Sequence, residues 1–331
     1  MVVIAVPGGL GDFGRLIVDA LLDTGKHEVY TLTRKASFLV PVNIRALKNP
    51  DGKEYIPVLQ TDYNDVAKMT RLLESKKVNT IISALNVDFQ PVSDAQVRLI
   101  EAAAASSCVK RFAPSEFNVD YDLGDDILPY PEKRFHVAAR RAVEKTHLEY
   151  TYFYPGMFMD YFALPRIQTH LRPIYTVLDL ENNEVAIPGD GSAMMAMTYT
   201  KDAARYIAAS LDLDRWPKVS LIIGSQPKLE DLARIAERIK GEKLDIRYDS
   251  LELLRQRSAK LLTSNQAIGN HFEGGPNQLN ALLCDLGGAI ALGAYDVARA
   301  KEGVDLVVLL DGKIKPPLDI ETFLERYWRL Q

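Results

Sequence analysis

The first half of the chain alternates between two hydrophobic periods. Residues 2–6 are a short β-branched apolar run, the pattern of a strand buried on both faces. The run breaks at Pro7 into Gly8-Gly9-Leu10-Gly11-Asp12-Phe13-Gly14. A helical pattern follows over 15–22, with Leu16, Ala20 and Leu21 on one side, and 28–33 reads as a second strand. Further strands are predicted over 55–59, 78–84, 109–113 and 150–154, with helices over 65–75, 91–105 and 133–146 between them. This alternation predicts an α/β fold, a Rossmann-type doubly wound parallel sheet whose ligands lie at the carboxyl ends of the strands. Past residue 155 the alternation is less regular. A strand over 184–188, helices over 202–211, 229–240 and 250–261, and a last helix over 319–330 predict a smaller α+β lobe. The chain therefore divides into a dinucleotide-binding domain, 1–155, and a mainly substrate-binding lobe, 156–331, interleaved with it. Segment 262–318 carries the weakest pattern.

The glycine-rich turn has a chemical reading. Gly8 permits a tight turn, Gly11 lets a pyrophosphate approach the main chain, and Gly14 lets the helix pack closely. Gly9, Leu10, Asp12 and Phe13 fill the rest of the turn. The first N–H groups of the helix then face the phosphates, and the helix dipole favours negative charge there. Asp12 would repel a phosphate, so it is expected to cap the helix and point away. The second strand ends in Thr33-Arg34-Lys35, with no carboxylate for the ribose hydroxyls. A guanidinium offers a planar fork to a 2′-phosphate. The expected cofactor is NADP(H), held mainly by Arg34 with Lys35 in support.

The other strand ends should meet the same crevice. Ser83, Ala84 and Leu85 suit close contact with a ribose or nicotinamide. Pro114 and Ser115 end the fifth strand near the cofactor, with Glu116, Phe117 and Asn118 beyond them toward a substrate. Asp62-Tyr63 either borders the adenine or starts the helix at 65. Tyr154 and Pro155 are expected beside the cofactor, and Met157, Phe158, Tyr161 and Phe162 form the wall of an apolar pocket.

Composition narrows the partners. The chain has 331 residues, 47% apolar and 25% charged, with a net charge of −4. That mild acidity offers no footprint for nucleic acid or an anionic membrane. Cys108 and Cys284 sit in apolar contexts and read as core thiols of a reducing compartment, with no metal site. The first strand begins at once, leaving no room for a signal peptide, and no apolar run reaches membrane-spanning length. The expectation is a cytoplasmic monomer or homodimer acting on a small molecule.

Several segments fall in a familiar order: the opening Val-Pro-Gly-Gly-Leu-Gly-Asp-Phe-Gly, Thr33-Arg34, and Arg111-Phe112-Ala113-Pro114-Ser115-Glu116-Phe117. Arg140-Arg141-Ala142-Val143-Glu144, Ile187-Pro188-Gly189-Asp190-Gly191, Thr200-Lys201-Asp202-Ala203-Ala204 and Ile320-Glu321-Thr322-Phe323-Leu324 follow. The chain resembles the NmrA-like branch of the atypical short-chain dehydrogenases. Within it the chain is most similar to the isoflavone reductase and phenylcoumaran benzylic ether reductase group and its fungal relatives. The resemblance implies an NADPH-dependent reductase of an aromatic secondary metabolite, phenylpropanoid-like or polyketide. It also implies an acid/base lysine on the helix before Arg140. That position holds His136 here, and the nearest lysine, Lys133, is one turn earlier. Either Lys133 takes the role, or His136 donates the proton, as an ordinary imidazole pKa of about 6.5 permits. The Tyr-x-x-x-Lys of short-chain dehydrogenases is missing, since Tyr130 is followed by Arg134. Two other functions fit the same motifs: a non-catalytic NADP(H)-binding redox sensor, and an isomerase or cyclase.

Overall fold

The computed structural model describes residues 1–34 and 47–329; Lys35 lies outside the described residues. Strand β1 (Val3–Pro7) is central and almost wholly buried. The turn after it leads into helix α1 (Gly14–Asp23) and strand β2 (Glu28–Thr33), which pairs with β1 from Val3↔Glu28 to Pro7↔Leu32. Six parallel strands make the main sheet, in the order Val58–Gln60, β2, β1, Thr80–Ile82, Arg111–Ala113, Glu149–Tyr150. The chain builds outward from β1 on one side and then crosses to the other. The switch point lies between β1 and Thr80–Ile82, where doubly wound folds open their ligand crevice.

Helices cover both faces of the sheet. Val66–Ser75, Gln90–Ala105 and Lys133–Val143 pack in a row on one face. On the other face α1 packs against Thr200–Ala209, a helix from the second half of the chain. Ile4, Val6, Ile17 and Leu21 share a core there with Phe153, Ile207 and Ile222. Residues from both halves of the chain share this core, and the α/β reading of the sequence holds.

The 150–154 strand divides. Glu149–Tyr150 closes the main sheet, and Tyr152–Tyr154 pairs with Val219–Leu221, itself paired with Gly303–Asp305, all parallel. One extended segment thus hands the chain from one sheet to another and points Gly156 and Met157 at the crevice. The 55–59 strand is likewise two pieces. Glu54–Tyr55 pairs antiparallel with Leu47–Lys48, and Val58–Gln60 edges the main sheet. Pro57, which has no N–H to donate, stands between them. In the second lobe Leu178–Asp179, Glu184–Pro188 and Asp245–Asp249 form a sheet. Helices Leu229–Lys240 and Gly275–Ala291 pack against its central strand. The helix expected over 250–261 is only Leu251–Arg255, started by the Ser250 side chain and followed by Arg257 at φ 53°. Among the described residues no helix is long and apolar enough to cross a membrane.

Candidate active site

The turn after β1 is built around steric contacts that exclude side chains. Gly8 has φ +76°, and a Cβ there would stand 2.3 Å from the Ala84 carbonyl oxygen on the neighbouring strand. A Cβ on Gly14 would stand 2.2 Å from the Gly8 carbonyl oxygen, so turn and helix touch backbone to backbone. Arg15 folds back over the turn, donating from Nη2 to the Leu10 carbonyl (2.8 Å) and from Nε to the Gly11 carbonyl (3.1 Å). These bonds neutralise the acceptors of the turn. No acidic residue occupies the first turn of α1, so its N-terminus stays electropositive. Asp12 does not cap α1 as expected. The cap position is Phe13, already helical at φ −88° and ψ −30°, and no side chain caps the helix. The Asp12 carboxylate instead stands 3.8 Å from Arg172 Nε, a counter-charge supplied by the second half of the chain.

Arg34 is exposed at the end of β2, where it lines a recess of 330 Å³ with Gln60, Thr61, Asp62 and Lys68. Lys68 is a second cation at this end of the crevice that the sequence reading passed over. Asp65, not Asp62, caps the following helix by accepting from the Lys68 N–H at 2.8 Å.

A cavity of 680 Å³ opens beside the turn, at the carboxyl ends of the central strands. It brings together the expected Gly8, Gly11, Asp12, Phe13, Ala84, Leu85 and Ser115 with Phe117, Asn118, His136, Met157, Phe158 and Tyr161. Phe13 joins the two sets: its ring centroid lies 5.0 Å from that of Phe117 and 4.8 Å from that of Phe158. Other expected residues stay outside the cavity wall. Ser83 and Pro114 are buried in the sheet, and the Pro155 carbonyl accepts from the Thr198 hydroxyl at 2.8 Å. Phe162 is buried with its carbonyl bonded to Trp328 Nε1 at 2.9 Å, so it is core rather than pocket wall.

Glu116 is no substrate contact either. It is fully buried, and both its oxygens accept from Arg140 Nε at 2.9 Å. Arg140 also pairs with Asp120 at 2.7 Å and with the Tyr154 hydroxyl, which holds Tyr154 in the core as well. Burial pushes the Glu116 carboxyl up to about 8, with Arg140 pulling the other way. This buried network braces the segment that presents Phe117 and Asn118.

The two acid/base candidates separate. Lys133 Nζ donates to the Leu123 carbonyl (2.6 Å), meets the Asp125 carboxylate at 2.7 Å and does not line the cavity. Its tie pins the 121–130 loop whose Tyr121, Leu128 and Tyr130 do line it. His136 lines the cavity and is buried, with Nδ1 2.9 Å from the Ser115 carbonyl. A carbonyl only accepts, which assigns the proton to Nδ1 and leaves Nε2 an acceptor. Nε2 has no partner among the described residues. The ring stacks on Tyr121, centroids 3.8 Å apart and planes 3° apart. Burial pushes the imidazole down to about 4, against the Ser115 carbonyl. The expectation of a cationic proton donor is corrected: near neutral pH, His136 is a neutral acceptor.

The model of the NmrA-like family matches residues 2–290. The chain belongs to the NmrA-like family. It is 36% identical over 245 residues to Oxidoreductase BOA1 of Botryotinia fuckeliana, covering 73% of this chain and 77% of that protein. The fold is shared with the crystal structures of pinoresinol-lariciresinol and phenylcoumaran benzylic ether reductases (TM-score 0.72, 22% identity, 98% of each chain). It is shared too with the binary complex of leucoanthocyanidin reductase and NADPH from Vitis vinifera (TM-score 0.68, 18% identity, 98% of this chain and 99% of that one). At the level of enzyme class, these findings bear out an oxidoreductase.

In this NmrA-like protein several cavity residues escaped the sequence reading. Tyr121 and Tyr130 lie in the loop after the fifth strand, Arg172 follows the aromatic wall, and Leu282, Asp285, Leu286 and Ala289 come from helix Gly275–Ala291. Tyr295 follows that helix. The one available signal was loop position: ligand residues of doubly wound folds sit on loops at strand carboxyl ends, as Tyr121 and Tyr130 do.

Proposed function

We propose that this NmrA-like protein is an NADPH-dependent reductase of a small aromatic substrate. One observation carries the reading: the aromatic cavity is lined by Gly8 and Gly11 of the glycine turn and by Ala84 packed against it, so the substrate chamber opens directly onto the cofactor cradle. The cradle fits a dinucleotide. Side chains are excluded at Gly8 and Gly14, the first turn of α1 offers N–H groups, and Arg34 and Lys68 offer charge to a 2′-phosphate. When bound, NADPH supplies the hydride. Residues 1–155 hold the cofactor, and 156–331 supply much of the substrate chamber.

The chain's own residues bind, orient and exclude water. Phe117, Met157, Phe158 and Tyr161 present an apolar surface to an aromatic ring and keep the chamber dry, which strengthens each polar contact inside it. The His136 ring, stacked under Tyr121, backs the polar side of the chamber. The thiols of Cys108 and Cys284 are free, in keeping with a reducing cytosol.

The test is consumption of NADPH against a panel of aromatic ketones and phenylpropanoids, with products weighed by mass spectrometry. A reductase yields a product heavier than its substrate by two hydrogens. A product of unchanged mass with NADPH intact would instead assign an isomerase, and binding without any turnover would assign a sensor.

A further inference from the structure

We propose that Tyr121 and Tyr295, aligned by Asn118, form a two-donor site for a substrate oxygen carrying negative charge, of the phenolate or enolate class. The three residues come from distant parts of the chain and all line the cavity. Asn118 Nδ2 donates to the Tyr121 hydroxyl oxygen at 3.3 Å. The same amide acts on the Tyr295 phenol, drawing its pKa down against the burial that raises it. An amide nitrogen carries two N–H groups, and a phenol oxygen can accept while its own hydrogen stays free. Each tyrosine therefore keeps its O–H hydrogen to donate into the cavity.

The arrangement is held rigid. The Gly156 N–H bonds the Asn118 carbonyl, the Met157 N–H bonds the Ala196 carbonyl, and the Ala196 N–H bonds the Tyr295 carbonyl, each at 2.9 Å. Asn118 and Tyr295 are thus tied through the backbone to the stretch that forms the cavity wall, and Tyr121 is fixed by its stack on His136. Tyr121 is 8% exposed and Tyr295 1%. Burial raises both phenols above their ordinary range, so both remain donors at any working pH. Fixed donors in a water-poor site stabilise a charge most. The carboxylates in the cavity wall are already engaged: Asp12 with Arg172, Asp88 with the Tyr130 hydroxyl, and Asp285 with Arg257. Among the described residues of the cavity wall none is left to compete for the tyrosine hydrogens.

The site rests on the proposed function only for what it does to a substrate; its affinity for an oxyanion is testable without cofactor. The probe is 4-nitrophenol, added to the full chain in buffer about one unit below the phenol's own pKa, where the absorbance of the phenolate reports its ionised fraction. The bound probe is expected to show an ionised-to-neutral ratio about a hundredfold above that in buffer, since each of the two hydrogen bonds to a charged group is worth about tenfold or more. Tyr121→Phe and Tyr295→Phe should each lower that ratio about tenfold. Asn118→Asp, whose carboxylate accepts both tyrosine hydrogens, should abolish the effect. Circular dichroism checks that each variant is folded, and the Asp variant keeps the test open if a Phe variant is not. The site is overturned if the probe fails to bind, binds only as neutral phenol, or keeps its ratio in the double Phe variant. None of these results touches the NADPH reading, and absence of NADPH binding would not touch these.

Discussion

His136→Gln gives the most quantitative check on the electrostatics of the cavity. The amide can still donate to the Ser115 carbonyl but cannot titrate. In the folded wild type the imidazole is pushed from 6.5 down to about 4. The unfolded chain therefore binds a proton below 6.5 that the folded chain refuses until about 4, so stability is full above 6.5 and is lost as pH falls. A shift of that size corresponds to a maximum of about 3 kcal/mol, at about 1.4 kcal/mol per unit. Between about pH 8 and about pH 5 the wild type should lose about 2 kcal/mol more than the variant. Urea denaturation of both proteins across this range reads the difference. His27, also pushed down by burial, and Asp88 and Asp160, pushed up by it, are common to both proteins and cancel. Parallel stability curves, or a His136 resonance titrating near its ordinary value, would refute a buried neutral imidazole.

Three further outcomes follow from contacts already described. Gly14→Ala sets a Cβ against the Gly8 carbonyl and should cost about 1–3 kcal/mol of overpacking, seen as weaker NADPH binding by fluorescence titration. Arg140→Met leaves the Glu116 carboxyl buried without its partner and should destabilise the fold by about 3–5 kcal/mol in chemical denaturation, with Glu116→Gln in the same chain restoring part of it. Lys133→Ala releases Leu123 and Asp125 and should raise KM for an aromatic substrate several-fold with the pH profile of kcat unmoved; loss of kcat itself would return Lys133 to the chemistry.

The amino-terminal half was legible because its signals are local. A β-branched run, a glycine turn and an amphipathic helix follow one another without interruption, and each fixes its neighbour's position in the sheet. Long-range pairing was not legible. Nothing in Tyr150-Thr151-Tyr152 marks the point where one strand leaves the main sheet and joins Val219–Leu221. The 250–261 pattern reads as a helix in isolation. It stops at Arg255, and Arg257 then turns left-handed and places its guanidinium 2.7 Å from Asp285 on a distant helix. Helix Gly275–Ala291 was obscured by its opening Gly-Pro and its internal Gly287-Gly288, residues that ordinarily break helices. Its Leu282, Leu286 and Ala289, with Tyr295 beyond, became part of the site only through tertiary packing. Asp12 failed for a similar reason: its counter-charge, Arg172, lies far along the chain.

Calorimetric titration of NADPH and NADH into the wild type and Arg34→Ala addresses the cofactor most directly. A guanidinium gripping a 2′-phosphate is expected to make NADPH bind at least about tenfold more tightly than NADH, and Arg34→Ala to remove most of that difference while leaving NADH binding nearly unchanged. Absence of heat with either coenzyme would contradict the glycine turn as a dinucleotide cradle, and equal or tighter binding of NADH would contradict the role of Arg34.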